Sequence, residues 1–166
     1  MATLKLSTAQ YRRLGKQEET HTERNTRNQA YGKRFEDRLI DYHAELEARH
    51  LVRVMRTNPK IRVTGPGRAV IIGKGEVDFV AFLANGKVVH FDAKSRQKDA
   101  FSLEDEHQMD WLRNQAAYGH TAGYLVYWSD YDQVRWHPIE TIEKRVRLKE
   151  GAPVNDVAWL ELFVGQ

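Results

Sequence analysis

The chain has 166 residues, with 26 Lys and Arg against 23 Asp and Glu for a net charge of +3, and it has no cysteine. A chain of this length is expected to form one domain with a core that needs no staples, and the missing cysteine excludes disulfide frameworks, thiolate zinc sites and cysteine nucleophiles. The N-terminal MATLKLSTAQYRRLGK has no apolar run of signal-peptide length, and no uncharged apolar run is long enough to span a bilayer, so a soluble protein of a reducing compartment with no membrane partner is expected.

Residues 1–27 are polar and basic with little periodic apolar content, and are expected to form a mobile arm ahead of a single domain over 28–166. From about Asn28, Tyr31, Phe35, Leu39, Tyr42 and Leu46 recur at steps of four, four, three and four, which predicts a helix with one buried face ending near His50. LVRVM then reads as a strand. The following NPKIRVTGPGRAVIIGKG is basic and punctuated by Gly and Pro, predicting a protruding hairpin or loop over 57–75. Residues 1–34 hold eight Lys or Arg against three Glu, and residues 51–75 hold six with no acid. These segments sum to +5 and +6, leaving −8 for the remainder of a chain whose total is +3. Such segregation points to a positive surface facing a polyanion, nucleic acid first, with a solvated charged face as the alternative.

VDFVAFLA and KVVHFDAK follow, split by Asn85-Gly86, a strong short hairpin signal. Both are apolar on both alternating sets of positions, as expected for central strands covered on two faces. SRQKDAF reads as a loop, and Ser102 with Asp105 as a weak capping box opening a helix. Met109, Leu112 and Ala116 give that helix its apolar stripe, and Gly119 is placed to end it. TAGYLVYWS and QVRWHP read as strands around an SDYD turn, with Tyr124, Tyr127, Trp128, Tyr131 and Trp136 expected in the core or a dimer interface rather than stacked on bases. Pro138 opens a short charged helix over ETIEKRVRLK, and the terminal VNDVAWLELFV reads as a short helix or a strand. The order predicts a mixed α/β sheet flanked by helices.

Glu76, Asp78, Asp92 and Lys94 are out of place in such apolar strands. A buried carboxylate without a partner is costly, and Asp92 lies between Phe91 and Ala93. Register decides whether these residues meet, because a slip of one residue sends a side chain to the other face. A two-residue turn at Asn85-Gly86 would pair Ala84 with Lys87 and turn Asp78 away from Asp92. A three-residue loop with Gly86 in the left-handed position of a G1 bulge would pair Leu83 with Lys87, set Asp78 opposite Asp92 and Glu76 opposite Lys94, and bring all four to one face. Clustered carboxylates need positive charge among them, and an all-oxygen set suits Mg²⁺ or Mn²⁺ better than zinc. Lys94, two residues beyond Asp92, projects on the same side, where an ammonium stabilises a reacting phosphate or orients the attacking water. The chemistry these residues suit is metal-assisted phosphodiester hydrolysis; the plainer alternative is ion pairs closing strand ends. Glu36 lies one step off the helical stripe, at the edge of the core, and Gln108 lies beside the Met109 and Leu112 stripe.

The ordered set GKRFED with Glu36, Glu76 and Asp78 before the hairpin, FDAK with Asp92 and Lys94, and His107-Gln108 in the next helix resembles the PD-(D/E)xK nuclease superfamily, and within it RecU-type Holliday junction resolvases. The resemblance spans roughly residues 28–137. It implies a restriction-endonuclease-like core with a stalk-like protrusion at 57–75, shorter than is usual for that type, and a homodimer that binds four-way junction DNA and resolves it by paired symmetric nicks. It further implies Mg²⁺, with Mn²⁺ as a substitute, held by Asp78, Asp92, Glu76 and Gln108, with Lys94 and Glu36 as catalytic groups. Asp92 stands where Glu is commoner, and Glu76 where Thr is. Arg12, Arg13, Lys16, Arg24, Arg27, Lys33, Arg34, Arg62, Arg68 and Lys74 are the expected phosphate contacts, which would make binding strongly salt-dependent. A cytoplasmic location in a bacterial or phage-infected cell follows from the resemblance. A restriction-like or repair endonuclease on duplex DNA, a catalytically silent DNA-binding module and a protein-interaction domain are the rival readings.

Overall fold

A computed structural model describes residues 21–57, 60–65, 68–73, 76–154 and 159–164, and for residues 21–25, 28, 60–65, 68–73 and 164 it gives the course of the backbone only. Helix α1, His21–Ala48, is followed by β1 (Val52–Arg56), then β2 (Lys60–Gly65) and β3 (Arg68–Gly73), then β4 (Phe79–Leu83), β5 (Val88–Arg96) and the short β6 (Ala100–Ser102). Helix α2, Glu106–Ala117, leads to β7 (Thr121–Trp128), β8 (Gln133–Pro138), β9 (Arg145–Arg147), β10 (Ala152–Val154) and a last short helix α3 (Glu161–Val164).

Six strands form one sheet in the order β1-β4-β5-β7-β8-β10. Strands β5 and β7 run parallel, joined by α2 as the crossover, and the other neighbours are antiparallel. Parallel neighbours need a long connection and a covered face, and both faces here are covered. On one face Phe35, Leu39 and Leu46 of α1, with Trp159 and Leu160, pack on Phe79, Phe91, Leu125 and Trp136. Burying each of these side chains stabilises the fold by about 1.5–3 kcal/mol. On the other face Leu112 of α2 packs with Tyr124, Val126 and Trp128. Among the late aromatics, Tyr124, Trp128 and Trp136 are therefore core, Tyr127 packs against it, and Tyr131 is exposed.

Strands β2 and β3 pair only with each other, forming the hairpin expected between 57 and 75. The first helix starts by His21, earlier than the expected 28, because residues 21–30 contain no Gly or Pro to stop it. It ends with Leu51 N donating to Leu46 O at 3.1 Å and His50 in the left-handed position usual for glycine, φ 56°. The expected loop SRQKDAF is instead the end of β5 and then β6, which pairs with β9. The expected charged helix after Pro138 is a single 3-10 turn, Ile139–Thr141, followed by β9 and another 3-10 turn, Leu148–Glu150. Alternation overrides helix propensity there, because Val146 is buried between exposed Arg145 and Arg147. Among the described residues no helix is long and apolar enough to cross a membrane.

Candidate active site

The β4–β5 turn sets the site. Gly86 N donates to Leu83 O and Leu83 N to Lys87 O, both at 2.9 Å, and Gly86 has φ 85°. This is the three-residue loop with a left-handed glycine, one of the two registers the sequence allows. Phe79 pairs with Phe91, so Asp78, one step before, falls opposite Asp92. Asp78 closes the end of the ladder by accepting a hydrogen bond from Ala93 N at Oδ2, 3.0 Å. Glu76 lies outside β4, which begins at Phe79, and the cleft is lined from Val77 and Asp78 onward without it. The same register carried past Phe79 sets Glu76 opposite Lys94, two residues beyond Asp78.

Asp92 is 1% exposed, yet it faces a cleft of about 930 Å³ lined also by Asp78, Lys94, Arg96, Asp105 and Gln108. Its Oδ2 pairs with Lys94 Nζ, and its Oδ1 accepts from Gln108 Nε2 at 2.8 Å. Gln108 arrives there because Asp105 caps α2, its Oδ1 accepting from Gln108 N at 3.1 Å. The cap is thus Asp105 rather than Ser102, which belongs to β6. Tyr124, paired with Asp92 across β5 and β7, donates its hydroxyl to Gln108 Oε1 at 3.5 Å. Burial, with the charge of Asp92 added, raises the Tyr124 pKa and keeps it a donor.

Burial pushes the Asp92 carboxyl above the ordinary range; Lys94 opposes that shift, and the neighbouring Asp78 carboxyl, in hydrogen-bonding contact, adds to it. Burial and a neighbouring carboxylate thus both disfavour the charge on Asp92, and a cation placed among these groups would favour it. Two adjacent carboxylates in an open polar cleft fit a hard divalent cation, with Gln108 beside them, its amide nitrogen on Asp92 and its oxygen on the Tyr124 hydroxyl. Among the described residues no group of three or more acids and histidines converges, so the candidate cation site is Asp78 and Asp92 with Gln108. Glu36 stands back from the cleft, its Oε2 accepting from Arg56 Nη2 at 2.8 Å, while Arg56 itself lines the cleft. Burial and then the charge of Asp78 raise the Glu36 pKa, with Arg56 working against them.

Arg96 went unread in the sequence because β5 was ended at Lys94. Alternation carries Asp92, Lys94 and Arg96 to one face, and the Arg96 guanidinium stacks over Phe101 at 4.5 Å in the wall of the cleft. His107 is exposed and does not line the cleft. Of the expected phosphate contacts, Arg27, Lys33 and Arg34 are exposed on α1, and Arg27 Nη2 reaches Gln97 Oε1 past the end of β5 at 3.4 Å. Arg12, Arg13, Lys16 and Lys74 lie outside the described residues, as do the side chains of Arg24, Arg62 and Arg68.

A family model described as Recombination protein U, RecU, matches residues 50–158. Among solved structures, the chain is similar to Archaeoglobus fulgidus Hjc, a Holliday junction resolvase from an archaeal hyperthermophile, with a TM-score of 0.50 and 19% identity over 76% of this chain and 99% of that one. At that identity the likeness speaks to the fold, which is restriction-endonuclease-like with a mixed sheet between helices. None of the curated proteins compared with the chain matches it in sequence.

Proposed function

The chain belongs to the RecU family and is a Holliday junction resolvase of DNA recombination, a nuclease that hydrolyses DNA, and on that premise we propose that it nicks two strands of a four-way junction symmetrically as a Mg²⁺-dependent homodimer. The observation that supports this most is the pairing of Asp78 with Asp92 at the mouth of the cleft, beside Lys94 and Gln108. A four-way junction has two-fold symmetry, so a C₂ dimer presents two equivalent sites to two strands.

Asp78, Asp92 and Gln108 would hold a divalent ion, Mg²⁺ with Mn²⁺ as substitute, which when bound would supply Lewis-acid stabilisation at the phosphate and activation of the attacking water. The protein's own groups do the positioning. Ala93 N fixes the Asp78 carboxylate, and Gln108 fixes that of Asp92. Lys94 offers its ammonium to the charge that develops on the phosphate oxygens. Arg96, two residues beyond Lys94 on the same face of β5 and lining the cleft, offers a second cation to the phosphates. Glu36 acts through Arg56 from the rim. The basic helix face with Arg27, Lys33 and Arg34, together with residues 1–20 and the β2–β3 hairpin, contacts phosphates without reading sequence, as suits a protein that recognises a branched shape.

The test is strand cleavage of a labelled four-way junction beside a linear duplex of the same sequence, with Mg²⁺ and with EDTA. Paired symmetric nicks confined to the junction and lost in EDTA are expected. Equal cutting of the duplex contradicts junction selectivity, and cutting that survives EDTA contradicts the cation's role.

A further inference from the structure

Outside the two basic segments the chain sums to −8, yet residues 144–149, KRVRLK, hold four cations and no acid. The fold lays this run on the surface. In β9 Arg145 and Arg147 are exposed while Val146 is 1% exposed, so both guanidinium groups share the outer face of the β6–β9 ribbon. The residues directly across are Ser102 and Ala100, too small to cover them. Arg145, Arg147 and Lys149 line a cavity of about 440 Å³ with Tyr131, which is 47% exposed, and with Asp99 as its single acid.

This cavity adjoins the reaction site. The acidic cleft shares Lys94 and Arg96 with a neighbouring cavity of about 480 Å³, and that cavity shares Ala100 with the basic one. Lys98 lies in the connecting cavity. Arg147 Nη1 pairs with Glu150 Oε1 at 2.9 Å, an exposed pair that contributes little and yields readily to a phosphate. The Arg145 side chain has no ion pair or hydrogen-bonded partner among the described residues.

We infer that the β6–β9 ribbon is a phosphate-binding step that receives the duplex arm leaving the active site, with Arg145, Arg147 and Lys149 on the DNA backbone. The inference rests on the resolvase reading above. Point charges on a polar, open surface suit a phosphodiester backbone tracked along a groove, and the tyrosine hydroxyl is a further donor of the kind that positions phosphates.

The test uses the full chain and two double variants that remove the same charge. Arg145→Ala with Lys149→Ala removes the step, while Arg49→Ala with Lys87→Ala removes cations outside the two basic segments, at the opposite end of β4 and β5. Junction affinity is measured across a salt series in EDTA, with hydroxyl-radical footprints, and cleavage is measured at saturating junction in Mg²⁺. The step variant is expected to bind about tenfold more weakly near 0.15 M salt, with a log–log salt slope shallower by about two. Its footprint loses protection on one arm, and its cleavage at saturation is unchanged; the control variant stays within about twofold of wild type. Equal losses in both variants, or none in the step variant while wild type binds and cuts junctions, overturn this inference alone. Wild type that does not bind junctions overturns the resolvase reading with it.

Discussion

Strand β5 carries two buried polar clusters on the same face, two residues apart, and they behave differently. His90, 7% exposed, meets His120 through Nε2 and Nδ1 at 2.9 Å, with the rings stacked at 5.0 Å and Trp111 edge-on at 5.1 Å. Burial and the His120 charge lower its pKa to about 4, so it sits there neutral and closed in by its neighbours. Asp92 is as deeply buried, but it opens onto the cleft and stands beside Asp78 with its own pKa raised. Burial of a polar group therefore does not mark a site by itself. What marks it is unbalanced charge facing a space that a ligand can enter.

The largest test of this contrast is Asp92→Asn. Junction cleavage is expected to fall by about a thousandfold or more, while junction binding changes little. Retained cleavage in a strand-scission assay would break the comparison. Lys94→Ala is expected to cost about a hundredfold in the same assay.

The histidine cluster is expected to report in stability instead. A histidine whose folded pKa is below its unfolded value of about 6.5 takes up a proton on unfolding, so its contribution is present above 6.5 and is lost as pH falls toward the folded value of about 4. For His90 the loss is up to about 3 kcal/mol. Urea unfolding at pH 7 and pH 4.5 is expected to show a smaller pH dependence in His90→Gln than in wild type, and an equal dependence in the two would remove this reading of the pair. His120→Ala, which takes away the partner of His90, is expected to destabilise by about 1–2 kcal/mol with cleavage unchanged. Gly86→Ala is the smallest effect, about 1 kcal/mol from its left-handed backbone; cleavage that collapses along with it would mean that the turn, and not the acids, is the sensitive element.

The architecture was legible where local pattern and burial agree. The α1 stripe, the paired apolar runs and the α2 stripe are all where periodicity places them, because each buries one face. The hairpin register was legible only as two alternatives. What favours one of them includes a distant contact, Asn85 Nδ2 donating to Phe163 O at 2.8 Å across 78 residues, which no local pattern carries. The β6–β9 ribbon was not legible for the same reason, since three-residue strands far apart in sequence hold too little alternation to read. Within the site, Asp78 opposite Asp92 followed from the bulged register, whereas the cleft is lined by Asp78 and not by Glu76, two residues further from the start of β4. Arg96 was legible in the alternation of DAKSR and was missed by ending the strand two residues early.

The most direct test of the cluster at Asp92 is calorimetric titration of Mn²⁺ into wild type, Asp78→Asn and Asp92→Asn, with junction cleavage measured on the same preparations. Mn²⁺ binding in wild type that is lost with cleavage in both variants is the predicted result. Undiminished Mn²⁺ binding and cleavage in the variants would show that the reaction is not held by these two carboxylates.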